Sequence, residues 1–263
     1  MSDASADTPL LRAIDGRGIA TLTFNRPEKG NSYNGAMLDT LLDEVGRLGA
    51  DPAVRAIVLR GNGKHFSAGA EVGGAAAKEK PRATIPTVCL ELDTIAKPTI
   101  ALVHGACIGG AVAIISCCDV VIATHNAFFS LPEVRLGFAP GPLIPFFLRA
   151  IDPRSLRRYL LSGERFTAEE ALRNGLVHQL CASEAADTAL AALIDEVLHA
   201  GPNAVAHAKH LLRRLTQMPI SKELLAELQV EFDQRLDLPE ATEGRASFRE
   251  KRKPSWFPPS QKQ

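Results

Sequence analysis

The sequence predicts an α/β fold in which ββα turns stack on one another and a helical C-terminal region follows. Three observations carry this prediction. A buried-type strand, a glycine-punctuated loop and a helix follow one another over residues 54–97, and again over 98–118. These units do not show the single strands and helices in strict alternation that a doubly wound sheet needs. From about residue 185 the apolar pattern becomes helical.

The elements follow in order. "GIATLTFNRPE" alternates and stops at Asn25-Arg26-Pro27, which marks a strand ending in a turn. Met37 to Leu48 has apolar residues at helical spacing, closed by Asp51-Pro52. "VRAIVLRGNGKHFSAGAEV" is an apolar strand running into a glycine loop, and "PTVCLELDTIAK" is a helix that Pro98 ends. "PTIALVHG" is a second buried strand, followed by glycines and a buried helix from Gly110 to Cys117. "DVVIAT" and "AFFSLPEVRLG" add short strands and a loop, and "GPNAVAHAKHLLRRL" and "SKELLAELQVEFDQRL" are helices. The expected division is a disordered arm over 1–9, a core over 10–200 and a helical region over 201–263.

Composition narrows the classes. At 263 residues with zero formal net charge, the chain carries no electrostatic footprint of nucleic-acid or anionic-membrane binding. Its longest apolar run, Ala111 to Ala123, is broken by Ser116 and Asp119 and is too short to span a bilayer. "MSDASADTPL" has neither the basic nor the apolar region of a secretory signal. Five cysteines without paired spacing read as reduced core thiols, and a cytoplasmic setting is expected.

Two glycine loops are the first chemical candidates. "FSAGA" (Phe66 to Ala70) and "CIGGA" (Cys107 to Ala111) each follow a buried strand and lead into helical sequence. Facing each other, they could aim unpaired backbone N–H groups at one oxygen; equally, they could be tight turns only. "GNGKHF" fits neither a dinucleotide nor a phosphate-loop motif, and no Gly-x-Ser-x-Gly elbow exists. No metal site is expected, since His207 and His210 lack ligand spacing and read as surface residues, while His104 reads as structural. Asp119 lies inside apolar sequence and needs a partner or a capping role. Glu133, flanked by Pro132, Leu131 and Val134, is a candidate acid or base if buried, and a surface loop residue if not.

In their order along the chain, five stretches resemble the crotonase (enoyl-CoA hydratase/isomerase) superfamily. They are "TLTFNRPEKGNSYN", "GNGKHFSAGAEV", "KPTIALVHGACIGGAVAIISCCDVVIATHNAFFSLPEVRLGF", "LSGERFTAEEALRNGLVHQL" and "ASFREKRKPSWF". The resemblance implies a crotonase-like spiral and an acyl-CoA thioester substrate. Coenzyme A enters as part of that substrate, with no separate cofactor. It also implies a homotrimer or a hexamer built from two trimers, with 201–263 as the trimerising region. By the same resemblance, the N–H groups of Ala70 and Gly110 form an oxyanion hole and Glu133 is catalytic. CoA contacts are implied for Arg26, Ala68, Ala70, Phe248 and Lys251. One departure stands out: hydratases of this type carry a first glutamate three residues after Gly110, where this chain has Ala113. Glu71 and Glu91 are conceivable substitutes. The expected activity is hydration of a 2-enoyl-CoA, with a branched or carboxylated acyl group allowed. Isomerisation by the single glutamate and non-catalytic acyl-CoA binding or scaffolding are the alternatives. If the space beside Gly110 is open, Ala113→Glu is expected to raise hydration; if it is filled, to destabilise.

Overall fold

The computed structural model describes residues 8–71 and 81–259, so the arm expected over 1–9 lies, but for its last two residues, outside them. The chain opens with β1 (Leu10–Ile14) and β2 (Ile19–Phe24), which pair antiparallel. β1 has no apolar alternation, since only Leu10 is buried, and the sequence pattern therefore does not announce it. Helix α1 (Gly35–Ala50) follows, its first turn capped by the Asn34 side chain accepting from the Met37 N–H. Leu38, Leu41, Val45 and Leu48 form its buried stripe.

The spiral begins at β3 (Ala56–Gly61). The chain resumes in α2 (Ile85–Thr94), which Thr84 and Thr87 close in a reciprocal capping box. Next come β4 (Thr99–Val103), β5 (Ala106–Ile108) and α3 (Gly110–Ser116), then β6 (Val120–Thr124) and β7 (Phe128–Ser130). The turns at β4 and β6 each contribute one strand to a large sheet and a shorter strand, β5 or β7, to a second sheet. The large sheet runs β1-β2-β3-β4-β6 and is parallel from β2 onward. In the small sheet β5 pairs parallel with β7, and Ser67 extends it by a bridge to Cys107.

The rest of the core is α4 (Ile144–Ala150), α5 (Pro153–Ser162), β8 (Arg165–Thr167), α6 (Ala168–Arg173), β9 (Gln179–Cys181) and α7 (Ala186–His199). β9 joins the large sheet beside β6, and β8 joins the small one beside β7. Both faces of the large sheet are covered, which is why "AIVL" and "TIALV" read as continuous apolar runs. Ile57, Leu59, Ala101 and Val103 pack with α1, α2 and α3 in the main core. Val58, Ile100 and Leu102 face the other way, against Leu190, Ile194 and Leu198 of α7. All five cysteines are buried free thiols.

Helices α8 (Pro202–Leu215), α9 (Lys222–Leu236) and α10 (Pro239–Glu250) complete the chain, and none of them buries an apolar side chain fully. Polar anchors fix them instead. Glu240 accepts from the N–H groups of Asn203 (3.1 Å) and Ala204 (2.8 Å) and caps α8. Trp256 donates its indole N–H to His199 O at 3.0 Å. Lys209 of α8 reaches Leu92 O, Lys97 O and, at 2.7 Å, Asp119 Oδ2. The same Asp119 oxygen accepts from Thr99 N (2.7 Å) and Thr99 Oγ1 (2.9 Å). The lone aspartate thus ties the starts of β4 and β6 together and receives the α8 cation.

Asp119→Ala leaves Lys209 and the Thr99 N–H without this partner and is expected to lower stability by about 1–3 kcal/mol. Asp119→Asn, which keeps one oxygen acceptor, should lose less. Urea unfolding of both variants measures the difference.

Candidate active site

The site forms where three loops meet at the carboxyl ends of β2, β3 and β4. After β2 the chain makes a tight turn over Pro27–Lys29 and reaches Asn31, which is fully buried and has φ +56°. Its side chain accepts from Arg26 N and donates to Asn62 O (2.8 Å) and His65 O (2.6 Å), binding this loop to the one after β3. Ser67 Oγ donates to Asn31 O at 2.8 Å. The loop after β3 then runs beside β5, with Ser67 N donating to Ala106 O and Ile108 N to Ser67 O.

This pairing decides which N–H groups stay unused. Tyr33 N donates to Gly69 O (3.0 Å) and Glu71 N donates to Tyr33 O (2.9 Å). A parallel bridge of this kind engages residues 69 and 71 and skips the N–H of Ala70. At α3, Gly109 N donates to Ser130 O, while Gly110 is the first helical residue, whose N–H has no intrahelical acceptor. Among the described residues neither Ala70 N nor Gly110 N donates a backbone hydrogen bond.

Both residues line one cleft of about 390 Å³, together with Glu133 and the apolar side chains of Ile85, Leu136, Phe138 and Leu143. A cleft of that size and lining suits a small ligand. Glu133 follows β7 in a single turn, Pro132–Leu136, and is only 8 % exposed. Gly109 has φ +60°, and a Cβ on it would stand 2.9 Å from Glu133 Oε1, so the carboxylate rests against bare backbone. Glu133 Oε2 is buried with no hydrogen-bond partner. Burial disfavours the charged form, and the carboxyl pKa is raised above its ordinary value. Tyr33, which no sequence motif singles out, also lines the cleft, and its phenol pKa is pushed up by burial and by the Glu133 charge.

A family model described as enoyl-CoA hydratase/isomerase matches residues 15–259. The chain belongs to that family. The 2,3-dehydroadipyl-CoA hydratase of Escherichia coli K12 is 31 % identical over 90 % of this chain and 94 % of its own length. A carnitinyl-CoA dehydratase of Citrobacter koseri is 30 % identical with the same coverage. Among solved structures, an enoyl-CoA hydratase from Shewanella pealeana superposes with a TM-score of 0.87 at 32 % identity, over 95 % of this chain and 96 % of that one. The crotonase fold is therefore shown.

Of the remaining residues that the family pattern singles out, only Ala68 lies on the cleft among the described residues. Arg26 donates to Ser32 O at 2.7 Å and pairs with Glu71 Oε2 at 2.9 Å. Glu71 also holds Lys29 at 2.7 Å, and the hydrogen bonds from Lys29 and Arg26 keep its carboxyl below the usual range. Glu91 lies beside Gly46 of α1. Neither glutamate lines the cleft, so neither stands in for the first carboxylate of the family's hydratases. Ala68 does line it. Phe248, 86 % exposed, and Lys251, in the left-handed region at φ +53°, end α10 away from the cleft. His104 Nε2 contacts Gly63 O at 2.8 Å, a structural role. His207 is half-buried and pairs with Glu231 at 3.4 Å, unlike the exposed His210; it is not the surface residue its spacing suggests. No group of three or more metal-ligating side chains gathers among the described residues.

The surroundings of Ala113 favour the filled alternative over the open one. Its spacing from Gly110 suggests a shared face, but α3 is short and buried all round, and only Gly110 of its residues lines the cleft. Ala113 is fully enclosed in the main core. Ala113→Glu would bury a carboxylate among apolar neighbours, so we expect about 3 kcal/mol or more of lost stability and no gain in hydration. Urea midpoints, with 2-enoyl-CoA turnover measured on the folded fraction, decide it.

Proposed function

We propose that the protein hydrates a 2-enoyl-CoA, holding the thioester oxygen between the N–H groups of Ala70 and Gly110 and moving the proton with Glu133. The observation that carries this reading is a buried carboxylate oxygen without a partner, in the same cleft as two unused backbone donors. Water adds its oxygen to the β-carbon, and the displaced electron pair of the double bond spreads toward the thioester oxygen. Fixed donors stabilise that oxygen most when it carries enolate charge. With one carboxylate lining the cleft among the described residues, Glu133 takes the proton from water and delivers it to the α-carbon. Two relatives are named for adding or removing water, which supports hydration. A purely structural or scaffolding role leaves the cost of burying Glu133 without an offset.

A second reading has its own observation. Since Ala113, Glu71 and Glu91 all lie off the cleft, Glu133 is the single carboxylate lining it among the described residues, and one base is what transfer of a proton from the α- to the γ-carbon of a 3-enoyl-CoA requires. A panel of 2-enoyl- and 3-enoyl-CoA thioesters, with products weighed by mass spectrometry, separates the two. A gain of one water marks hydration, and rearrangement at constant mass marks isomerisation.

In either reading Glu133→Gln keeps the shape and removes the base, so turnover should fall about 10²–10⁴-fold while acyl-CoA affinity holds. In the parent, the base form appears as pH rises through the raised Glu133 pKa. The acidic limb of the rate should accordingly lie above the ordinary glutamate range and vanish in the variant. An unchanged rate in Glu133→Gln would refute the assignment.

We also propose the assembly that the family implies, a trimer or a pair of trimers, with Phe248 and Lys251 serving the CoA of a neighbouring copy. Support comes from the exposed apolar residues of the C-terminal helices, Leu212, Phe232 and Phe248 among them, and from Ile220 in the loop between α8 and α9. Ala68 is assigned to the adenine through its carbonyl. Arg26 is assigned to CoA phosphates, which must compete with Glu71 for the guanidinium. As proposed, the reaction uses no cofactor beyond the CoA of the substrate. Buried free thiols suit the reducing cytoplasm. No helix among the described residues is long and apolar enough to cross a membrane. Because Phe248 makes little contact within its own chain, Phe248→Ser should weaken CoA binding and oligomer stability without lowering the chain's own. Light scattering reads the mass, and a monomeric parent would contradict the assembly.

A further inference from the structure

Tyr33 touches both donor loops. Through its backbone it accepts from Glu71 N and donates to Gly69 O, which fixes the segment carrying Ala70. Through its side chain it packs on Gly110, where any Cβ would collide with Tyr33 Oη. The ring is largely buried, yet the residue lines the cleft. Oη donates to no acceptor among the described residues. Nor is it one of the sealed atoms without partners, which are Glu133 Oε2 and Asn174 Nδ2. The hydroxyl therefore opens on the cleft beside the Gly110 N–H.

We propose that Tyr33 Oη–H is a third hydrogen-bond donor to the thioester oxygen, beside the N–H groups of Gly110 and Ala70. This rests on the acyl-CoA reading above. A phenol pushed up in pKa by burial and by the Glu133 charge stays protonated through the neutral range, so it donates and does not titrate. Such a donor strengthens as the oxygen it faces becomes an enolate. Tyr33 does not serve to hold Glu133, because the free carboxylate oxygen has no partner at all. Where the family's hydratases divide proton handling between two carboxylates, this cleft would meet the same barrier with the one carboxylate that lines it among the described residues and three oxyanion donors.

The test uses butyryl-CoA labelled with ¹³C at the thioester carbonyl, a saturated ligand that can enolise but not react further. Two quantities are read: exchange of its α-protons in D₂O, and the carbonyl stretch of the bound ligand by infrared difference. Tyr33→Phe keeps the ring in place. It should bind butyryl-CoA about as well as the parent, exchange α-protons on the order of 10–10²-fold more slowly, and shift the stretch to higher frequency. Placing 3-fluorotyrosine at position 33 strengthens the donor without changing its place, and should shift the stretch lower. A folded Tyr33→Phe variant whose stretch matches the parent overturns the proposal, whatever its rate. If that variant does not fold, the fluorotyrosine protein decides alone, and an unmoved stretch overturns the proposal. A parent that neither binds nor exchanges butyryl-CoA overturns the acyl-CoA reading and this proposal with it.

Discussion

Asn31 is the knot on which the site depends. Its amide oxygen, both of its amide hydrogens, its backbone N–H and its backbone carbonyl are all engaged, with Arg26, Asn62, His65 and Ser67. The residue holds a left-handed backbone conformation, which asparagine tolerates better than most side chains. Its partners span the loop after β2 and the loop after β3, so the two are built as one body. Tyr33, two residues on, then sets the register of residues 69–71, and the Ala70 N–H is left over by that register. The donor is thus a by-product of how the backbone is paired: the bridge uses the groups on either side of Ala70 and leaves its N–H over.

A second constraint meets the first from the other side of the cleft. Gly109 and Gly110 are glycines for different reasons. Gly109 combines a positive φ with a carboxylate resting where its Cβ would be, whereas Gly110 makes room for a phenol. The glycines after β4 record what lies opposite them. A side chain at Gly109 would push Glu133 out of its apolar seat, and a side chain at Gly110 would push Tyr33 off the helix start. The raised pKa of Glu133 follows from the same packing, since burial against bare backbone disfavours the charged carboxylate.

Much of this was legible in the sequence, and the illegible parts have physical causes. Strands β2, β3, β4 and β6 and helices α1, α2, α3, α8 and α9 stand out because burial imposes a period of two, an unbroken apolar run or a helical stripe. β1 does not, because a single residue of it is buried. The three-residue strand β5 lies inside a glycine loop whose apolar content gives no period, whereas β7 falls in "AFFSL", which reads as a short strand. Glu133 was recognisable from its apolar flanks. Asn31 and Tyr33 were not, since "KGNSYNG" reads as an ordinary polar turn and their importance lies in partners thirty or more residues away. Ala113 misled for a related reason: helical spacing gives a face, but it cannot say that every face of a seven-residue helix is buried.

The two ends of the large sheet divide the work. At the carboxyl ends of β2, β3 and β4, the chain builds the loops that carry Tyr33, Ala70 and Gly110. At the amino ends of β4 and β6, Thr99 and Asp119 bind each other and hold Lys209 of α8. The C-terminal helices are attached at that opposite end, by polar contacts and the Trp256 indole, while their apolar faces stay open. An attachment made of directed hydrogen bonds fixes where those helices point without consuming their apolar surface. Such an arrangement fits the assembly proposed above, in which that surface meets another chain. It also keeps the anchor mechanically separate from the loops that hold Glu133 and the two backbone donors. Changes at Asp119 or Lys209 should therefore reach the chemistry only through stability or assembly, and changes at Asn31 should reach it directly.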